Sequence, residues 1–374
     1  MRDLKRLVVF LSVLWVLLFA CLFESFRFFP IERISFNFPL ILRMGVLILN
    51  VLVLSVLLYG VCSKKMRVGS LSPTLFIVFY GLAVVFCLLE GLFIFYPKSH
   101  STGNTALSNI AWASYYNKPL NEYNFRGGPI VDLEGKKKIY VLGDSYTCGW
   151  GIADVNERYP ELLEKRLGQP WRVINMGVPG FGTKEELYVL NKFLNVYDLK
   201  KPDLVIWQYL VNDILSGSSA PPFLPYAHEG AVAKYFIENS FFFNFLYWSF
   251  PRDYNADYTD YLLKNFLNDP KKVQAHINDV LLLVRMCQES GVHLIVVGFP
   301  YLSDLEKTCP MISSLEQLFS GSGIEFVNIC AVVKDVPSCE RVIHDNDQHP
   351  SLYVHQLVAQ ELFLRMKKIF SHTP

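Results

Sequence analysis

The sequence predicts an α/β domain built on a parallel sheet and preceded by an α-helical membrane segment. Two observations carry this. From Lys137 onward, short apolar runs alternate with longer segments of helical period, the pattern of strands joined by crossover helices. Before residue 100 the chain holds three long apolar runs, each about the roughly 20 residues needed to cross a hydrocarbon core. The hydrophobic fraction of 52% is high for a water-soluble protein, and the excess lies in the first hundred residues.

The apolar runs predict spans at about 7–25, 44–62 and 74–96. Leu7 to Phe23 and Met44 to Cys62 carry no charge, and Thr74 to Tyr96 carries only Glu90. Bulky Phe23, Phe26, Phe28 and Phe29 follow the first run where a cleaved leader would have small residues. Arg2, Lys5 and Arg6 precede it, and Lys64, Lys65 and Arg67 fill the second loop, so both should face the cytoplasm. Three spans then put everything after Tyr96 on the outer side, periplasmic or extracellular. Net charge is +1, which gives no electrostatic reason to expect a nucleic-acid partner.

Residues 98–120 are rich in Ser, Asn and Thr and read as an extended linker to a domain at 121–374. Strands are expected at Ile139–Leu142, Arg172–Asn175, Leu204–Tyr209, His293–Phe299 and Glu325–Asn328. Helices are expected at Tyr159–Leu167, Lys184–Tyr197, Lys271–Ser290, Met311–Phe319 and Leu352–Phe370. An insertion at about 215–269 interrupts this alternation and is crowded with aromatics, including Phe241, Phe242, Phe243, Tyr247, Trp248 and Phe250. A segment of that length reads as a lid or binding element, as a small helical subdomain with its own core, or as a surface resting on a bilayer.

Four segments carry chemistry. Gly143-Asp144-Ser145 follows the first strand and offers a hydroxyl on a glycine-flanked turn. A glycine-rich loop, Asn175 to Thr183, follows the second, and Gly180 can present a backbone N–H with no side chain in the way. Asn212, whose amide is a neutral donor, ends the third. Asp345-Asn-Asp-Gln-His-Pro350 precedes the last helix and offers an imidazole, His349, beside carboxylates. A serine hydroxyl needs a base within hydrogen-bond reach, and the base needs an acceptor to hold its tautomer, for which Asp347 and Asp345 are both available. A tetrahedral oxyanion needs donors, here the Ser145 and Gly180 N–H groups and the Asn212 side chain. All four segments fall at strand ends or at the start of the last helix, hence on one edge of the sheet.

These blocks, in this order, resemble the SGNH hydrolases, the GDSL esterase/lipase family. Asn124-Phe-Arg-Gly127 resembles a prelude found in membrane-attached members. The resemblance covers residues 121–370 and implies a three-layer α/β/α flavodoxin-like domain. It further implies Ser145 as nucleophile, His349 as base, and Ser145, Gly180 and Asn212 as the oxyanion hole. The family acid commonly lies three residues before the histidine, where this chain has Asn346; Asp347 is favoured, with Asp345 as the alternative. The implied activity is hydrolysis of carboxylic esters through an acyl-enzyme, on a small molecule, a lipid or an O-acylated envelope glycan. An O-acyltransferase using the same intermediate and a catalytically silent envelope-binding module are the competing readings.

His344, His276 and His293 lack metal-ligand spacing, so neither metal nor cofactor is expected. Arg126 reads either as a brace for the nucleophile turn or as a surface ion-pair partner. Cys309, Cys330 and Cys339 can supply one disulfide on the outer side, with the pairing open.

Overall fold

The computed structural model describes residues 45–56, 73–131, 133–197, 201–215, 229–250 and 254–370. The chain divides into two compact units. One holds a five-stranded parallel sheet of β1 (Lys137–Leu142), β2 (Trp171–Asn175), β3 (Leu204–Leu210), β4 (His293–Phe299) and β5 (Glu325–Asn328), in the order β2-β1-β3-β4-β5. The strands are apolar on both faces, and every residue of β3 is buried. Alternation then sorts their side chains. Tyr140, Leu142 and Trp207 enter a core with Leu190, Leu283 and Ile312 from helices Thr183–Asn195, Pro270–Glu289 and Leu305–Phe319. Ile139, Val141 and Ile206 point the other way, to Leu163, Val333 and Leu362 of helices Tyr159–Leu167, Ile329–Val333 and Leu352–Phe370.

The chain leaves β1 for β2 on one side and returns to β3 on the other, so strand order reverses at β1. In open α/β sheets the crevice at that switch point, past the carboxyl ends of the strands, is where ligands bind. The helix starts are written locally. Asp269 accepts from the amides of Lys271 (3.0 Å) and Lys272 (3.4 Å) ahead of Pro270–Glu289, and Asp304 from Lys307 (3.2 Å) ahead of Leu305–Phe319.

Two short strands outside the main sheet were not expected. Val342–His344 (β6) pairs antiparallel with Asp347–Pro350 (β7), and the turn between them holds Asp345 and Asn346. The expected linker is another difference. Residues 107–116 form a helix that buries Leu107, Ile110, Ala111 and Trp112, an apolar face the polar composition of 98–120 conceals.

The other unit contains residues 45–56, helix Pro73–Ile94, helix Leu107–Tyr116 up to Ser114, and helices Ala231–Asn239 and Phe241–Trp248. The middle of the insertion is therefore helical and groups with this unit. Its last part, helix Tyr254–Leu262, returns to the sheet unit, where Leu262 is fully buried. Among the described residues no helix is long and apolar enough to cross a membrane. The expected span at 7–25 lies outside the described residues, 44–62 is described as helix over 45–56, and 74–96 falls on helix Pro73–Ile94.

Cys309 pairs with Cys330 across 5.8 Å between Cα atoms, tying helix Leu305–Phe319 to helix Ile329–Val333, while Cys339 is unpaired and exposed. The bridge closes a loop of 21 residues. A Cys309→Ser/Cys330→Ser double variant should lose about 2–4 kcal/mol of unfolding free energy, read from a urea titration with the m-value fitted for each chain.

Candidate active site

The site is built on a turn with no spare volume. Gly143 follows β1 with φ +158°, and a Cβ there would stand 2.2 Å from Thr147 Oγ1 and 2.4 Å from Gln208 Oε1. Only glycine fits. Asp144 then caps the four-residue helix Ser145–Cys148, its carboxylate accepting from the Tyr146 amide at 2.8 Å, and left-handed Gly149 ends it. Gln208, from the middle of β3, accepts from the Asp144 amide (3.1 Å) and the Thr147 hydroxyl (2.8 Å). From the other side, Asn175 at the end of β2 donates to the Thr147 carbonyl at 2.9 Å and accepts from the Gly177 amide at 3.0 Å. A Cβ on Gly177 would meet the Cys148 nitrogen at 2.3 Å.

Two buried arginines close the turn from its carboxyl end. Arg126 donates to the carbonyls of Cys148 (3.3 Å), Gly149 (2.8 Å), Ile152 (2.6 Å) and Ala153 (3.1 Å), and to Tyr116 (2.7 Å). Arg158 donates to the carbonyls of Arg126 (3.0 Å) and Cys148 (3.1 Å) and pairs with Glu161. Burial and the neighbouring Arg158 charge lower the Arg126 guanidinium to about 10, so it remains charged at neutral pH. Of the two readings open for Arg126, the brace is the one its contacts describe.

Ser145 lies 2.9 Å from His349 through Oγ and Nε2, and His349 Nδ1 lies 2.5 Å from Asp347 Oδ1. An ionised carboxylate only accepts, so Nδ1 carries the ring proton and Nε2 is left to accept from the serine hydroxyl. The hairpin explains why the acid stands two residues before the histidine. Asp347 and His349 alternate with Gln348 along β7, so their side chains leave on one face. Asn346 and Asp345 lie in the turn, and Asp345 is exposed.

Asp347 is fully buried. Burial alone would raise its carboxyl, but the His349 charge, the His349 ring and amide N–H groups and the Ser99 hydroxyl outweigh that and hold it at about 2. Ser101 completes the cradle, donating to Asp347 Oδ1 at 3.5 Å while its oxygen accepts from the Gln348 amide at 2.6 Å. The Tyr146 and Trp150 rings flank the imidazole, with centroids at 5.6 and 6.5 Å.

The expected oxyanion donors lie on either side of this group in the strand order. Gly180, in the loop after β2, has φ +81° and open space where a Cβ would be. That loop is tied to the nucleophile turn by the Val178 amide, which donates to the Gly143 carbonyl at 3.1 Å. Asn212 sits in the 3₁₀ turn Val211–Leu215, directly after β3. Its Oδ1 is buried and has no hydrogen-bond partner among the described residues. Behind it lie two buried carboxyls. Asp213 accepts from the Leu210 amide at 3.2 Å, and Glu186 accepts from Trp207 Nε1 at 2.7 Å. Burial first, then the other carboxyls nearby, raise both well above the usual carboxylate range.

Of the three histidines that lack metal-ligand spacing, His344 pairs with Asp347 across the β6–β7 hairpin. His276 Nε2 lies 3.0 Å from the Tyr209 hydroxyl, and His293 is at the exposed start of β4. Among the described residues no group of His, Cys, Asp and Glu could hold a metal ion.

Residues 141–302 match the model of the GDSL-like lipase/acylhydrolase family. The match includes Ser145, Gly180 and Asn212 and ends before the Asp347–His349 hairpin. No curated protein matches the chain. Among solved structures, the chain is similar to a member of the lipolytic G-D-S-L protein family from Veillonella parvula, at 13% identity over 63% of this chain and 99% of that one, with a TM-score of 0.39. A carbohydrate acetylesterase family member from Sinorhizobium meliloti gives 16%, 63%, 99% and 0.38. A psychrotrophic esterase from a Pseudoalteromonas species gives 15%, 63%, 100% and 0.40. Likenesses at this level say nothing about activity. The family match supports an ester-hydrolysing enzyme.

The two kinds of buried carboxyl should respond to pH with opposite signs. Asp347 is held below its unfolded value of about 3.9, so its contribution of about 2 kcal/mol is present above pH 4 and lost as pH falls through 2. The stability gap between wild type and Asp347→Asn in urea should therefore shrink between pH 5 and pH 2. Glu186 is raised, so the folded chain holds a proton that the unfolded chain has given up above about pH 4.3, and stability drains away as pH rises. Glu186→Gln should be more stable than wild type at pH 8 and lose that advantage at pH 4.

Proposed function

We propose that this chain is a membrane-attached serine ester hydrolase whose nucleophile is Ser145, whose general base is His349 and whose orienting acid is Asp347. The observation that carries the proposal is the continuous relay of Ser145 Oγ to His349 Nε2 at 2.9 Å and His349 Nδ1 to Asp347 Oδ1 at 2.5 Å.

In this reading Ser145 Oγ attacks the ester carbonyl carbon as its proton passes to His349 Nε2. The Asp347 carboxylate, held ionised, stabilises the imidazolium. The oxyanion is met by the Ser145 and Gly180 amides and the Asn212 side-chain NH₂, each donor worth on the order of 10²–10³ in turnover. Collapse of the intermediate breaks the ester C–O bond, and His349 returns the proton to the leaving alkoxide. Water, activated by the same imidazole, then adds to the acyl-enzyme and releases the carboxylic acid. No step calls for a metal or cofactor.

The substrates proposed are O-acyl esters of envelope glycans or lipids. The outward placement of the catalytic unit is supported by the basic residues flanking the first two apolar runs and by the Cys309–Cys330 disulfide, which persists in an oxidising compartment.

The test is turnover of p-nitrophenyl acetate together with labelling by a fluorophosphonate. Ser145→Ala should abolish labelling and lower kcat by on the order of 10⁴-fold or more, and Asp347→Asn should lower kcat by on the order of 10²–10⁴-fold with labelling slowed. Labelling that persists in Ser145→Ala, or a fully active Asp347→Asn alongside an impaired Asp345→Asn, would overturn the assignment.

A further inference from the structure

Two helices of the unit that contains the aromatic insertion bury their polar groups and turn apolar side chains outward. Helix Pro73–Ile94 has one charged residue, Glu90, and it is fully buried. Its carboxylate accepts from the Ser240 hydroxyl (2.7 Å) and from the amides of Phe241 (2.9 Å) and Phe242 (3.1 Å), the unsatisfied N–H groups at the start of helix Phe241–Trp248. That second helix repeats the pattern. Asn244 is buried and satisfied, donating to the Ile237 and Thr105 carbonyls at 2.9 Å each and accepting from the Leu107 amide at 2.9 Å. Phe245 stacks on Phe93 at 4.1 Å, and Phe243 lies 5.6 Å from Phe86.

What remains outside is apolar. Among the described side chains of helix Pro73–Ile94 the exposed ones are Val78, Leu82, Val85, Leu88 and Leu92, and helix Phe241–Trp248 exposes Leu246, with Ser249 and Phe250 just beyond it. A helix that packs one face on a protein in water turns polar residues outward. This pair does the reverse over its described residues, and satisfies Glu90 and Asn244 internally, as a hydrocarbon surrounding demands. Helix Ala231–Asn239 adds a boundary, exposing Val232 and Tyr235 beside an ion pair of Lys234 and Glu238 at 3.8 Å. Aromatic rings and paired charges are what the interfacial layer accepts.

We propose that residues 231–250 are a lipid-embedded element, held on helix Pro73–Ile94 by Glu90 and facing the acyl region of a bilayer through Leu246 and Phe250. The insertion then fixes the catalytic chain to the membrane at a second point. This goes beyond the hydrolase assignment and does not depend on it.

The test uses the full chain in phosphatidylethanolamine/phosphatidylglycerol vesicles. Leu246, Phe250 and Leu82, with the exposed Tyr188 of the sheet unit as control, are replaced one at a time by p-acetylphenylalanine and coupled to a hydroxylamine nitroxide. Power-saturation EPR then compares collision with oxygen, which concentrates in lipid, and with a nickel chelate, which stays in water. The expected result is an oxygen-to-nickel ratio several-fold higher at Leu246 and Phe250 than at Tyr188. A ratio equal to that at Tyr188 would place these side chains in water and overturn the proposal. Low collision with both agents would also overturn it, in favour of a second copy or another protein covering the face. Lipid values at Leu82 with aqueous values at Leu246 and Phe250 would leave the helix in lipid and sink the insertion's part. Turnover of p-nitrophenyl acetate by the same vesicles tests the hydrolase proposal, while circular dichroism of each labelled chain reports on folding.

Discussion

A single acceptor, Gln208 Oε1, receives both the Asp144 amide and the Thr147 hydroxyl, and the nucleophile turn depends on it. Those bonds draw β1 against β3 closely enough that position 143 has no room for a side chain. The chain must therefore break at Gly143, and Ser145 is presented at the carboxyl end of the central strand instead of continuing into the layer of helices. Because Gln208 is itself on a wholly buried strand, the position of the serine is inherited from the sheet. A loop alone could not hold a hydroxyl to hydrogen-bond accuracy against an imidazole two hundred residues later.

The costs of this arrangement are electrostatic. Two guanidinium groups and several carboxyls are withdrawn from water around one turn. The arginines are tolerated because Arg126 and Arg158 direct their N–H groups at carbonyls that would otherwise be orphaned where the short helix ends. Asp347 is tolerated because the imidazole and neighbouring donors favour its ionised form. Glu186 and Asp213 have no such cation and are instead pushed toward the neutral form. The carboxyl that must be charged and the carboxyls that need not be are thus separated by what each faces, not by residue type.

The insertion shows how an interruption in sequence can be continuous in space. Phe241 and Phe242 lie roughly 150 residues after Glu90, yet that carboxylate supplies what the helix start at Phe241 needs, so these segments form one unit. The aromatic content that suggested a lid is accounted for by rings packed on Phe86, Phe93 and Tyr96.

By itself the sequence determined the sheet. Each of the five expected strands lies where the structure has one, because a parallel strand buried on both faces must be an unbroken apolar run between breakers. The sequence's Gly-Asp-Ser and Asp/His blocks are brought together, with Ser145 Oγ 2.9 Å from His349 Nε2. Gln208 carried a signal, being the one amide in an otherwise apolar strand. Tertiary structure decided the rest. That Asp347 faces His349 follows from a four-residue strand whose pairing is with β6, and a run of Asp, Asn, Gln and His has no apolar period to announce it. Ser101, in a stretch that reads as linker, reaches the Asp347 carboxylate 246 residues away, and no local pattern encodes such a contact. Arg126 became a brace only where the turn's carbonyls converged on it. Periodicity records what a segment buries, whereas a polar partner is chosen by geometry that exists only after folding.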